Sequence, residues 1–97
     1  MAPTDIVRNT LSVLVQDVDG IISRVAGMFT RRGYNLVSLV SANTETAGIN
    51  RITIVVDANE LVIEQVTKQL NKIIPVLKVV RLEEDSNIAR GIMLGRV

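Results

Sequence analysis

Residues 11–35, LSVLVQDVDGIISRVAGMFTRRGYN, decide the fold of this 97-residue chain. The alternating, β-branched start of this stretch predicts a strand over residues 10–16. An acidic turn, Asp17-Val18-Asp19-Gly20, comes next. A helix is expected over residues 20–32, because apolar side chains recur there at the spacing of one helix face. Gly33 is the predicted left-handed stop of that helix.

The start of this predicted helix suits the binding of a small anion. Gly20 has no side chain that could stand in front of the first free amides. Those N–H groups, together with the positive end of the helix dipole, can hold a carboxylate. We therefore expect a loop that grips a small zwitterion through its backbone.

Composition excludes most catalytic chemistry. The chain has no cysteine and no histidine, which removes thiol nucleophiles, disulfides, the usual zinc sites and the commonest general base. We expect no catalytic residue, no metal and no cofactor in this chain. A net charge of +1 with interspersed signs gives no footprint for nucleic acid.

Hydropathy predicts a soluble intracellular domain. Hydrophobic residues make up 47% of the chain and aromatic residues only 2%, so the core must consist of Val, Ile and Leu. No apolar run approaches the ~18–20 residues that span a bilayer. The first nine residues, MAPTDIVRN, are too polar for a secretory signal. A cytoplasmic location is expected, with the plastid stroma as the alternative.

The remaining pattern completes a βαββαβ order. Strands are predicted over residues 35–42, 49–56 and 76–82, and a second helix over residues 60–72 with Asn59 as its N-cap. This order indicates an α+β, ferredoxin-like fold, in which a four-stranded antiparallel sheet carries two helices on one face. Residues 1–9 form a lead-in, and residues 10–82 form the domain.

Two features of the predicted fold point to a partner. The uncovered sheet face should mix polar residues with Val and Leu, and such a partly apolar face argues against a monomer. The tail, residues 83–97, carries apolar residues after an acidic run. It is either a frayed end, a segment that docks on another chain, or the start of a further domain.

Three motifs in order, SRVAGMF at residues 23–29, RRGYN at 31–35 and TKQLNK at 67–72, suggest a family. Residues 10–82 resemble the ACT domain that opens the small regulatory subunit of acetohydroxyacid synthase, also called acetolactate synthase. The resemblance implies a role in branched-chain amino-acid biosynthesis. It implies a homodimer or higher oligomer that binds valine or a related end product, and that activates and feedback-regulates a thiamine-diphosphate-dependent catalytic large subunit.

The resemblance also implies an effector site at the interface of two ACT domains. Polar contacts would come from Asp17 and Gly20 of one chain and from Asn35 of its neighbour, with backbone groups completing the pocket. The implied positions are Asp17, Gly20, Ile21, Ile22, Asn35 and Leu36.

The residues themselves leave alternatives for this site. Asp17 is either a ligand contact or an Asx-turn residue, and Asn35 is either a ligand contact or the end of a turn. Asp19 is expected to cap the first helix.

Other functions of this topology fit the sequence less well. A phosphate-binding enzyme loop needs positive charge, whereas this loop has two aspartates. An RNA-recognition sheet needs aromatic residues on the central strands, and strands one and three have none. The competing hypothesis is an assembly module that dimerises and contacts a catalytic subunit without any effector.

Overall fold

The fold is a four-stranded antiparallel sheet with two helices, as the sequence predicts. The computed structural model describes residues 5–82, so the predicted tail lies outside the described residues. The strands have the order β2-β3-β1-β4 across the sheet. The elements are β1 Val7–Gln16, α1 Ile21–Arg32, β2 Asn35–Asn43, β3 Ile49–Ala58, α2 Glu60–Asn71 and β4 Val76–Leu82.

The core lies between the two central strands and the helices. Alternate residues of β1 and β3 are fully buried because successive strand residues point to opposite faces. Both helices add their apolar stripes to this one cluster, so they cover the same face of the sheet. Its largest fully buried members are Phe29, Leu11, Ile52, Ile54, Leu70, Val13, Val15, Val25, Val56 and Val66.

The central strands are longer than the sequence predicts. β1 begins at Val7 and β3 continues to Ala58, because polar side chains at this end find partners across the sheet. Arg8 and Asp57 lie directly opposite each other, and the Arg8 guanidinium donates to both carboxylate oxygens at 2.9 and 3.1 Å. The predicted end of the third strand at residue 56 is therefore two residues too early, because β3 includes Asp57 and Ala58.

A buried amide joins three elements at the same end of the sheet. The Asn9 side chain is 6% exposed, and its Nδ2 donates to the Ala58 carbonyl at 3.2 Å. Its Oδ1 accepts a hydrogen bond from Nη2 of Arg81 at 2.8 Å. Arg81 in turn donates to both carboxylate oxygens of Glu60, at 2.8 and 2.7 Å. Asn9 thus connects β1, β3 and β4, and Arg81 extends the contacts to the first turn of α2.

The helix ends follow the predicted chemistry in two cases. Gly33 ends α1 at φ 72°, in the left-handed region that favours glycine. Asn59 is the N-cap of α2, and its Oδ1 accepts a hydrogen bond from the Val62 amide at 2.9 Å.

We expect Asn9→Ala to lower the free energy of unfolding by about 1–3 kcal/mol, since it leaves buried hydrogen-bonding groups without partners. Urea denaturation measures the change. Asn71→Ala, at an exposed position on α2, is the control and should stay within about 0.5 kcal/mol of the parent. Equal stabilities of the two variants would contradict this role for Asn9.

The Arg81–Glu60 contact predicts an acid-dependent contribution to stability. Hydrogen bonds from Arg81 lower the pKa of the Glu60 carboxyl below its ordinary value of 4.5. A lowered pKa means stabilisation that is present above the ordinary pKa and is lost as the pH falls through the folded-state pKa. Glu60→Gln should therefore have a lower urea midpoint than the parent at neutral pH. The difference should shrink below about pH 4.5, whereas Glu64→Gln should follow the parent throughout.

Candidate functional site

The loop after β1 is held against the β2–β3 hairpin by a backbone hydrogen bond, and a second one closes the loop on itself. The Asp17 amide donates to the Gly48 carbonyl at 2.9 Å, and the Val18 amide donates to the Gln16 carbonyl at 2.9 Å. Asp17 and the hairpin together border a cleft of about 320 Å³. The exposed Asp17 carboxylate is therefore at the edge of a concave surface.

The helix that follows this loop begins with open amides. Gly20 is the N-cap, at φ 79°, and no side chain caps the helix. The Ile21 amide donates to the Val18 carbonyl at 3.2 Å, and the first helical hydrogen bond runs from the Arg24 amide to the Gly20 carbonyl. Within residues 5–82, the amides of Ile22 and Ser23 have no acceptor. Two donors at the positive end of the helix dipole are thus available to an anion.

The prediction that Asp19 caps this helix is wrong. The N-cap position falls on Gly20, one residue later, so the Asp19 side chain lies outside the first helical turn. Both loop carboxylates, Asp17 and Asp19, are exposed. They place negative charge beside the open amides.

Asn35 lies at the other end of the sheet from this loop. It is the exposed first residue of β2, and it pairs with Asp57, which in turn pairs with Arg8. The loop instead follows Gln16, eight residues further along β1 than Arg8. At the rise of an extended strand this separation is about 27 Å. A single protomer therefore does not bring Asn35 and the loop together.

The charge next to Asn35 is already balanced. Hydrogen bonds from the Arg8 guanidinium lower the pKa of the Asp57 carboxyl below its ordinary value. Arg8 and Asp57 form an ion pair. The Asn35 amide is therefore the neutral polar group at this end of β2.

The remaining predicted positions have mixed surroundings. Ile21 is buried in the core, whereas the side chains of Ile22 and Leu36 are half-buried. The Leu36 amide donates to the Tyr34 carbonyl at 3.1 Å. Backbone groups of these three residues are implied for the pocket; the amides of Ile21 and Leu36 donate within the protomer, and that of Ile22 is open.

Sequence reasoning missed two contributors to this surface. Ser23 is the third helical residue after the Gly20 N-cap, so its amide is among those that a helix leaves without partners. Counting from Gly20 would have found it. The contact between Asp17 and Gly48 joins residues 31 positions apart in the chain, and no local pattern indicates it.

A family model described as the AHAS small subunit-like ACT domain matches residues 11–78, where AHAS is acetohydroxyacid synthase. The chain belongs to this ACT-domain family. Proteins named acetolactate synthase small subunit are 51% identical over 89 residues in Mycobacterium leprae and 47% identical over 89 residues in Mycolicibacterium smegmatis. Each alignment covers 92% of this chain, and 53% and 52% of the relatives. The resemblance read from the sequence motifs is thereby confirmed.

Solved structures agree with this family. The crystal structure of the acetolactate synthase small subunit of Thermotoga maritima matches with a TM-score of 0.75 and 35% identity, covering 79% of this chain and 48% of that one. An ACT domain from a GTP pyrophosphokinase of Chlorobium tepidum, with a TM-score of 0.68 and 18% identity, shares the fold; it covers 79% of this chain and 99% of its own.

The ACT-domain family member described here spans about half the length of the curated relatives that it matches. Neither helix within residues 5–82 is long and apolar enough to cross a membrane.

The left-handed backbone of Gly20 predicts a conformational cost for any side chain there. A Cβ at Gly20 would meet no atom within 4 Å, so Gly20→Ala tests backbone strain alone. We expect it to lower the free energy of unfolding by about 1–2 kcal/mol. Gly27→Ala, in the middle of α1, is the matched control. Its Cβ would come within 3.2 Å of the flexible end of Arg31, so the helix propensity of alanine and this contact oppose each other and the net change should stay below about 1 kcal/mol. A Gly20→Ala protein as stable as the parent would contradict the left-handed cap.

Proposed function

We propose that this chain is part of a regulatory small subunit of acetohydroxyacid synthase and binds a branched-chain amino acid, with valine as the first candidate, between two copies of its ACT domain. It is not an enzyme by itself; it activates and feedback-regulates a catalytic subunit in the cytoplasm. The observation that carries this proposal is the pair of open amides, Ile22 and Ser23, behind a glycine cap.

The chemistry of the loop matches the two charges of a free amino acid. The open amides and the helix dipole would hold the carboxylate. The exposed Asp17 carboxylate, at the edge of the adjacent cleft, would attract the ammonium group. Half-buried Ile22 offers an aliphatic surface next to the same amides, which favours a branched apolar side chain.

The two edge strands of the sheet, β2 and β4, are not equally suited to pairing with a second copy. β2 has nine residues and no charged side chain, whereas the seven-residue β4 carries Lys78 and Arg81. Charged residues and short length protect an edge strand from further pairing. We therefore infer that two copies join through their β2 edges.

An antiparallel β2 pair would complete the site. If the two-fold axis passes near Leu39, the middle residue of β2, then Asn35 of the second copy lies opposite Asn43. Asn43 borders the same cleft as Asp17. The pairing thus supplies the Asn35 amide to a loop that no Asn35 of the same chain can reach. Its side chain can both donate and accept, which suits a zwitterion.

Regulation follows if the effector binds one arrangement of the pair better than another. An effector shifts a conformational equilibrium only by its differential affinity for the two states. A ligand held between two protomers depends directly on their relative placement, so its binding would couple to any catalytic subunit that contacts the pair.

The alternative is an assembly module without an effector. Asp17 and Asp19 favour it, because two exposed carboxylates next to the helix start would repel the carboxylate of an amino acid. Calorimetric titration with valine, leucine and isoleucine separates the two functions. Absence of binding at millimolar concentration would favour the assembly module.

A mixing experiment tests whether each site takes residues from two chains. Gly20→Asp should abolish valine binding by placing a carboxylate in front of the open amides. Asn35→Ala should weaken binding by about 0.5–3 kcal/mol by removing hydrogen-bonding groups. After unfolding and refolding the two variants together, roughly a quarter of the clefts would combine an unaltered loop with an unaltered Asn35. Calorimetry should then recover that fraction of full-affinity sites.

The mixing experiment has clear controls. Asn71→Ala alone should bind valine like the parent, since Asn71 lies on α2, away from the cleft. Failure of the mixed sample to recover any high-affinity binding, while both variants stay folded, would refute a site shared between two chains.

A further inference from the structure

A basic groove runs between the two helices, separate from the loop site. Arg24, Arg31 and Arg32 of α1 and Lys72 at the end of α2 line a cavity of about 410 Å³. We call these four residues the basic groove. None of them forms an ion pair with any residue in the part of the chain that the structure describes. The groove therefore presents four positive charges that form no ion pair with any acid among residues 5–82.

Helix electrostatics explains only part of this charge. Arg31 and Arg32 lie in the last turn of α1, where cations interact favourably with the helix dipole. Arg24 lies in the first half of α1, nearer the positive end, where the dipole offers a cation no stabilisation. Glu60, the acid in the first turn of α2, already pairs with Arg81. Lys72 is the C-cap of α2 and so also lies at the negative end of a helix dipole. A local structural role thus leaves Arg24 unexplained.

The floor of the groove is apolar, and the side chain of Arg31 on its rim lies along α1. Met28 and Ile73 lie between the cations, Met28 at 4% exposure and Ile73 half-buried. A Cβ on Gly27 would come within 3.2 Å of Nη1 of Arg31, so the Arg31 side chain folds back along α1 into the space that glycine leaves.

The groove lies on the side of α1 that faces α2. Arg24 and Arg31 are seven residues apart and share one side of the helix, the side that faces α2. By the same periodicity Ala26 and Thr30 occupy the opposite flank. A β2-edge pair of ACT domains would leave the basic groove open.

We propose that the basic groove docks an acidic surface segment of the catalytic large subunit, with an apolar side chain of that segment on Met28 and Ile73. This inference rests on the proposed function for the identity of the partner. The cations extend along about 10 Å of α1 and on to α2, a spacing that fits a helix-like stretch of protein better than one compact anion. Complementary charge steers such docking and sets its register.

The test compares two triple charge reversals of the 97-residue chain. Arg24→Glu/Arg31→Glu/Lys72→Glu alters the groove. Arg51→Glu/Lys68→Glu/Lys78→Glu makes the same change in net charge at positions outside it. Affinity for a purified catalytic subunit is measured by biolayer interferometry from low to high salt, and valine binding by calorimetry.

The groove reversal should weaken the complex at least about tenfold at low salt and flatten its salt dependence, since it removes the attraction that salt screens. The control reversal should stay within about threefold of the parent. Valine binding should be retained in both. If the reversal variant does not fold, the neutral set Arg24→Gln/Arg31→Gln/Lys72→Gln should give a smaller loss in the same direction.

The contrary outcomes are distinct. A groove variant with the affinity and salt dependence of the parent overturns this inference and leaves the proposed function standing. A parent chain that binds no catalytic subunit at any salt concentration overturns the proposed partner, and this inference with it. Saturable binding of inorganic pyrophosphate, or of a peptide of residues 83–97, that only the groove variant loses would assign the groove to another occupant and overturn the inference.

Discussion

The packing of two aliphatic rows, on the adjacent central strands β1 and β3, against a pair of helices is the interaction on which the structure depends. These rows have no exposure to solvent, and burial of each such side chain stabilises the fold by about 1.5–3 kcal/mol. β1 and β2 are both antiparallel to β3, so they run in the same direction and α1 connects them by running back along the sheet. The loop that enters α1 and the start of β2 therefore lie at opposite ends of the sheet. The core thereby separates Gly20 from Asn35. A binding site that needs both residues requires a second protomer.

Local chemistry made much of the fold predictable from the sequence. The apolar stripe through Val25 and Phe29 gave α1, and the amide of Asn59 gave the start of α2. Alternation gave the buried faces of β1 and β3. The predictions that failed concerned features that depend on contacts between residues distant in the chain. The early start of β1 rests on the Arg8–Asp57 pair, 49 residues apart in the chain, and polarity alone suggested a lead-in there.

The local features of the candidate site were also predictable from the sequence, whereas those that depend on distant contacts were not. Gly20 signalled an open helix start because glycine cannot cap with a side chain. Only the structure showed that Gly20, and not Asp19, is the N-cap. The basic groove was missed because Arg24 and Lys72 belong to different helices, and their proximity follows from how the helices pack. The groove and the cleft beside the loop have different lining residues, so the proposed effector and the proposed catalytic subunit could both bind one protomer.

The uncharged β2 edge makes an unpaired protomer prone to aggregation. An exposed edge strand without charge or proline is a template on which other polypeptides can add strands, the first step toward aggregation. Pairing with one copy across a two-fold axis closes that edge and stops further growth, because the other edge, β4, carries Lys78 and Arg81. If the proposed β2-edge pair forms, dilute or newly synthesised protomers are thus the vulnerable species, and pairing would serve solubility as well as the proposed regulation.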